Sequence, residues 1–249
     1  MTESRPAVLW DLVAAHAAGH GRPPSAADAC AVAVISAQVS GAWVSAGRAP
    51  GPDVVMFVTD PVSEQLAELH LTLGEGPCRD AVAAAAPVLA GDLGDAEAGR
   101  RWPAFTPGAR RIGAAALFAL PLMIGVIQPG VLGLYRDTPG PLTSGQLGDA
   151  LILADAAAVL LLDSQHDSAA RAADGAELAG WPADLALHRA EIDQATGMLI
   201  EQLGVSAADA FIRLRAYAYS QDRRLADVAG DIVARRLRLP PDPPVDGEG

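Results

Sequence analysis

Between Leu185 and Leu239 apolar residues recur at helical spacing in three short stretches, each closed by a turn signal. Ile192, Ala195, Leu199 and Leu203 are spaced 3-4-4, with Met198 beside them, and Gly204 stands where a helix commonly ends on glycine. Ser206 opens a second helix, with Asp209 three residues on as in a capping box. Its apolar stripe is Ala207, Ala210, Phe211, Leu214 and Ala218, and a third stripe runs through Leu225, Val228, Ala229, Ile232, Val233 and Leu237. None of these helices is long enough to stand alone in water. The pattern therefore predicts a three-helix bundle. At about 55 residues its core is marginal, and a second copy would help to stabilise it.

The same stretch holds eight arginines against seven acidic side chains, a net charge of +1 in a chain whose total is −12. Before it stand ten arginines against twenty acids. A helical module with a cationic end on an acidic body suggests a nucleic-acid-facing output attached to a separate sensing domain. Two features are unusual for a plain bundle. Gly197 lies mid-helix, at a cost of about 1 kcal/mol relative to alanine, so either another helix or a ligand backbone comes close there. Arg223-Arg224 opens the third helix, where the helix dipole disfavours cations and a polyanion would relieve them. Arg213 and Arg215 extend the cationic set, and Tyr217 and Tyr219 are candidates either for stacking on bases or for packing.

The preceding residues read as an α+β sheet domain. Helical patterns at Pro6–Ala18, Ser25–Ser40 and Ser63–Leu73 alternate with β-like runs at Gly41–Ser45, Val54–Thr59 and Val88–Ala90. Pro77 is placed to start a helix after the turn Gly74-Glu75-Gly76-Pro77. Two long apolar runs, Ala114–Ile124 and Val131–Arg136, suggest a hairpin turning at Gln128-Pro129-Gly130. A last helix is expected from Thr143 or Ser144 to Leu162. The resulting division is an N-terminal extension (1–24), a sheet domain (25–163), a linker or fraying helix (164–180), the helical module (181–239) and a disordered acidic tail (240–249).

Composition removes several chemistries. There is no lysine, so Schiff-base catalysis, the phosphate-binding lysine of a P-loop and the kinase lysine are absent. Nothing resembles H-E-x-x-H, G-x-S-x-G, G-x-G-x-x-G or a paired-acid constellation, so an enzyme is not expected. Cys30 and Cys78 are 48 positions apart without C-x-x-C spacing, and read as buried free thiols in a reducing compartment. The five histidines (16, 20, 70, 166, 188) show no shared spacing, so no metal, haem or other cofactor is expected. The Leu151–Leu162 apolar run is interrupted by Asp155 and reads as buried core rather than a membrane span. The expectation is a cytoplasmic protein without membrane association.

Ala195-x-Gly197-Met198-Leu199, Ala210-Phe211-x-x-Leu214-Arg215, Ser220 and Leu225-x-Asp227-Val228-Ala229 resemble the ANTAR domain, the RNA-binding output of transcription antitermination regulators. The resemblance implies a three-helix bundle that works as a homodimer, binds paired RNA hairpins and lets transcription pass a terminator. Motif positions and the cationic and aromatic side chains together make Ala195, Thr196, Gly197, Arg213, Arg215, Tyr219, Arg223 and Arg224 the candidate RNA contacts. Thr196 stands where this family often carries lysine, which removes a phosphate-directed charge. Leu71–Cys78, Arg101-Trp102-Pro103 and Gly130–Tyr135 resemble a GAF domain, which implies a small-molecule sensor or a dimerisation and relay module. The cyclic-nucleotide signature of some GAF domains needs Asn and Lys, and this chain has neither.

Gly74, Gly76 and Cys78 form a loop whose backbone either faces a small ligand or is a plain tight turn, and Cys78 is a candidate redox sensor. The leading expectation is an RNA-binding antiterminator controlled by a GAF-like sensor. The alternative is a ligand-relay or protein-interaction module whose helical part dimerises or binds a protein without RNA. A DNA-binding helix-turn-helix fits less well, because Gly204-Val205 makes a tight hairpin with no recognition helix after it.

Overall fold

The apolar runs of the first two thirds of the chain become the strands of one antiparallel sheet. In this computed structural model, which describes residues 4–47, 54–173, 183–221 and 223–240, the strands are β1 (Gly41–Ala46), β2 (Val54–Val58), β3 (Val88–Ala90), β4 (Ala116–Ile124) and β5 (Ile127–Arg136). Their order is β2-β1-β5-β4-β3. Helices α1 (Arg5–Gly19), α2 (Ala26–Ser36) and α7 (Ser144–Ala173) cover one face, and α3 (Pro61–Leu73), α4 (Pro77–Ala84), α5 (Ala96–Arg101) and α6 (Phe105–Ile112) the other. The central strands are therefore buried on both sides, which is why they read as near-continuous apolar runs.

The period-2 alternation of a strand sorts each side chain to one layer. Ala42, Val44, Phe118, Leu120, Leu132 and Leu134 pack with α1, α2 and α7. Trp43, Leu117, Ala119, Val131 and Tyr135 pack with α3 to α6. Gly133 faces Trp43 across the β1–β5 ladder, and a Cβ there would lie 2.2 Å from the indole ring. We expect Gly133→Ala to cost about 2–3 kcal/mol in a urea melt followed by tryptophan fluorescence. An unchanged midpoint would show that Trp43 can move aside freely.

Several sequence expectations are corrected by the packing. The β4–β5 turn falls at Gly125-Val126, with Ile124 opposite Ile127, and not at Gln128-Pro129-Gly130. A two-residue hairpin loop needs a residue at positive φ, and Gly125 supplies it at +59°. Gly130 serves close strand approach instead, since a Cβ there would sit 2.0 Å from the Ser45 carbonyl oxygen. Helices α5 and α6 were not anticipated. Residues 1–24, set apart in the sequence by their glycines and prolines, contribute α1, whose Leu9 and Val13 join the core with α2 and α7. The last helix of this domain does not stop at Leu162 but continues to Ala173. Its Ser144–Ser164 stretch is long and apolar enough to cross a membrane by length and composition. Ala150, Leu153, Ala154, Ala157, Ala158 and Leu161 are buried in the domain core, however.

The chain divides into two compact units, Met1–Leu185 and Ala186–Gly249. The second is built from α8 (Ala183–Leu203), α9 (Ala207–Ser220) and α10 (Leu225–Val233). Gly204 at φ +65° ends α8, and its N–H reaches the Ile200 carbonyl. Ser206 caps α9 by accepting from the Asp209 N–H, while the Asp209 carboxylate takes the Ser206 hydroxyl rather than its backbone N–H. Ala195, Leu199, Ala210, Leu214, Ala218, Leu225, Val228, Ala229 and Ile232 are buried as expected. Ile192 and Leu203 are only half-buried and Ala207 is exposed. The third helix is shorter than its stripe suggested, because Arg235 turns the chain at φ +58°. Leu237 therefore lies beyond the helix, and Leu239 reaches the core, with its carbonyl accepting from Gln202 Nε2 at 2.7 Å. The tail assigned to 240–249 lies outside the described residues except for Pro240.

Candidate nucleic-acid interface

The residues expected to meet RNA separate into three groups. On α8, Ala195 is completely buried in the bundle core, so its side chain is not open to a ligand. Thr196 is half-buried, and its hydroxyl donates to the Ile192 carbonyl at 2.7 Å, the back-bonding habit of helical threonine. Gly197 is exposed, and a Cβ built on it meets no atom within 4 Å. Among the described residues, close helix packing therefore does not account for this glycine, and the open helix surface is available to a bulky partner.

On α9, Arg213 and Arg215 are half-buried, and the Arg215 guanidinium lies 5.8 Å from the centre of the Phe211 ring, a cation–π contact. Tyr219 is 58% exposed, near the end of the helix, with its ring accessible for stacking. Tyr217 is half-buried.

At the start of α10 the two adjacent arginines differ. Arg223 Nη2 binds Asp231 Oδ2 at 2.6 Å, and Arg236 Nε binds the other carboxylate oxygen at 2.7 Å. The hydrogen bonds from Arg223 and Arg236 hold the Asp231 carboxyl below the usual carboxylate range. The dipole cost of Arg223 is thus partly met by the protein's own carboxylate. Arg224 is the exposed N-cap residue of the helix. Arg235, Arg236 and Arg238, members of the same arginine cluster in the sequence, are all exposed just past the other end of α10, where a helix dipole favours cations. Nothing in the periodicity marked the turn at Arg235 that presents them.

In the sheet domain the loop Gly74–Cys78 is filled by the protein itself. Gly74 takes the left-handed C-cap position of α3. Gly76 has φ +119°, and a Cβ on it would come within 2.9 Å of both the His70 and Phe105 rings. The close approach that requires Gly76 is therefore to the core, in keeping with the tight-turn alternative. Cys78 is buried, and its N–H donates to His70 Nε2 at 3.3 Å. Glu75 accepts the Ala104 and Phe105 N–H groups, both at 2.7 Å, and so secures the entry to α6. Cys30 is inert, because burial and then the nearby Asp28 push its thiol up to about 12.

A cleft of about 150 Å³ opens beside β3, lined in part by Asp92, Asp95, Glu97, Arg101 and Trp102. Arg101 is engaged there by Asp80 at 2.7 Å and stacks on Trp102.

The sequence profile of the ANTAR domain matches residues 186–233. A comparison with curated proteins returned no match. Among solved structures, the chain is similar to the GAF domain of a phosphoenolpyruvate-protein phosphotransferase from Coxiella burnetii, at 14% identity and a TM-score of 0.50, covering 67% of this chain and 99% of that one. The GAF domain of the corresponding Acinetobacter protein aligns at 13% identity and a TM-score of 0.47, over 66% of this chain and 97% of that one. The second GAF domain of DevS from Mycobacterium smegmatis aligns at 21% identity and a TM-score of 0.40, over 65% and 96%. The chain therefore joins a domain with the GAF fold to a carboxyl-terminal ANTAR domain.

Proposed function

We propose that this protein is an RNA-binding transcription antitermination regulator. The ANTAR match over residues 186–233 carries the reading. The open surface at Gly197 and the exposed Tyr219 and Arg224 support it, because a phosphate backbone needs close approach and cationic contacts. In this reading the GAF-fold domain senses a small molecule and controls the output, and the protein is a cytoplasmic homodimer whose two bundles take the two hairpins of a leader transcript. The alternative, a relay that binds protein and not RNA, draws on the Asp231 carboxylate, which already pairs Arg223 and Arg236.

A gel shift of the full chain against leader RNA with two adjacent hairpins upstream of a terminator separates the two. Binding should be specific for hairpins over duplex DNA and should weaken with salt. Replacing Arg223 and Arg224 together with alanine should reduce the slope of log K against log salt by about one unit, since Arg223 is partly neutralised by Asp231. No binding at low salt, or equal affinity for hairpin RNA and duplex DNA, would sink the antiterminator reading.

A further inference from the structure

At the corner between α1 and α2 a cluster of side chains has the chemistry of a cation site. His16 lies in the last turn of α1 and His20 is its C-cap residue, with ring centroids 4.8 Å apart. His16 Nδ1 lies 2.7 Å from Asp28 Oδ1, and His20 Nδ1 lies 2.9 Å from the His16 carbonyl oxygen. A carboxylate and a carbonyl can only accept. Each neutral imidazole must therefore carry its proton on Nδ1, which leaves both Nε2 atoms as unprotonated donors to a metal. A carboxylate holding the far nitrogen is the outer-shell device that orients metal-ligating histidines.

Asp28 suits that supporting role. It is completely buried and also accepts from Arg22 Nη1 and Nη2, at 2.6 and 2.9 Å, and from the Ser25 N–H and hydroxyl, both at 2.8 Å. Its oxygens are saturated, so it orients His16 rather than ligating. Arg22 brings a like charge to the corner, but that charge is offset by Asp28. The α1 C-terminus also favours a cation there. The two imidazole rings have centroids 4.8 Å apart, and ligand-capable atoms of His16, His20 and Asp28 cluster within 4.8 Å of one another, so rotation of the two side chains would let both rings face one ion.

We propose that His16 and His20 form a two-imidazole clamp, through their Nε2 atoms, for a divalent cation of the zinc type, with water completing the coordination shell. It departs from the expectation of no metal. The four-residue separation of His16 and His20 is the signal in the sequence, and it spans the end of the apolar pattern at Ala18, because α1 runs on to Gly19 with His20 as its C-cap.

Titration of the full chain with zinc chloride against a chromophoric zinc indicator tests the proposal. One zinc per chain is expected, with magnesium failing to compete because it prefers oxygen ligands. His16→Gln and His20→Gln should each weaken binding at least tenfold, and Asp28→Asn by about 10–100-fold. Circular dichroism of each variant checks the fold. His20 is an exposed C-cap residue, so its variant is decisive even if Asp28→Asn does not fold. Zinc bound by His20→Gln with wild-type affinity, or no uptake by the parent protein at millimolar zinc, would overturn the proposal.

Discussion

On going from pH 7 to pH 4 the GAF-fold domain is expected to lose about 3 kcal/mol of stability through one side chain, His70. His70 is buried between Trp43 and Phe105, with ring centroids 5.7 and 4.1 Å away. Its Nδ1 lies 2.9 Å from the Leu66 carbonyl, and its Nε2 accepts from the Cys78 N–H. The neutral ring thus satisfies both nitrogens. A second proton on Nε2 would confront the Cys78 N–H with another donor. Burial, with a smaller contribution from the Arg79 charge, lowers its pKa to about 4 against the opposing hydrogen bond to Leu66. In the unfolded chain the ring titrates near 6.5. The stability is therefore fully present above pH 6.5 and is lost as pH falls towards 4, where the unfolded state takes up a proton that the native state refuses. Asp28 acts in a separate, lower window. Burial opposes its charge, but hydrogen bonds from Arg22, His16 and Ser25 prevail and bring its carboxyl to about 2, so its contribution is lost only below about pH 4.

The measurement is a urea melt at each pH, followed by tryptophan fluorescence. All four tryptophans precede residue 186, so the signal reports on the first unit. His70→Gln is the control. Its amide can accept from Cys78 and donate to Leu66 without titrating. The parent should lose about 3 kcal/mol more than this variant between pH 7 and 4. Equal losses would show that His70 is not what acid attacks.

What could be read from the sequence follows from where the information is local. Strands β1, β4 and β5 announce themselves because both faces are largely buried, so nearly every position is apolar, Ser45, Gln128 and Arg136 being the exceptions. The caps at Gly204 and Ser206 are local chemistry and were legible too. Helices α5 and α6 are short, of six and eight residues, and rest on distant partners. Glu75 receives the N–H groups at the start of α6 from 29 and 30 positions away, which no window along the chain reveals. The interface divides in the same way. The motif residues on α8 could be placed on one helix from their spacing, but the inward turn of Ala195 depends on how α8 meets its neighbours. The pairing of Arg223 with Asp231 joins residues eight apart through the entry angle of α10, and that angle is set by the bundle.

Gly197→Leu is expected to leave the ANTAR unit folded, and slightly more stable, while weakening RNA binding at least about tenfold, or 1.4 kcal/mol. Glycine inside a helix costs about 0.8–1.0 kcal/mol relative to alanine, and leucine is nearly as good a helix former as alanine. The structure decides the sign of the stability change. Gly197 is exposed, and its added Cβ meets nothing within 4 Å, so no overpacking offsets the propensity gain. A leucine there projects four carbons into the space through which a phosphate backbone would reach α8. Thr196→Lys is the companion change. It gives up only the hydroxyl bond to the Ile192 carbonyl, and it adds a phosphate-directed charge beside the same surface. It should strengthen binding and steepen the salt slope by about 0.7–0.9. Thermal melts followed by circular dichroism, with gel shifts on hairpin RNA, read both effects in the full chain. If Gly197→Leu keeps full RNA affinity and Thr196→Lys is inert, α8 is not at the RNA. The contact would then have to lie along α10 and its flanking arginines, where Arg224, Arg235 and Arg238 are exposed.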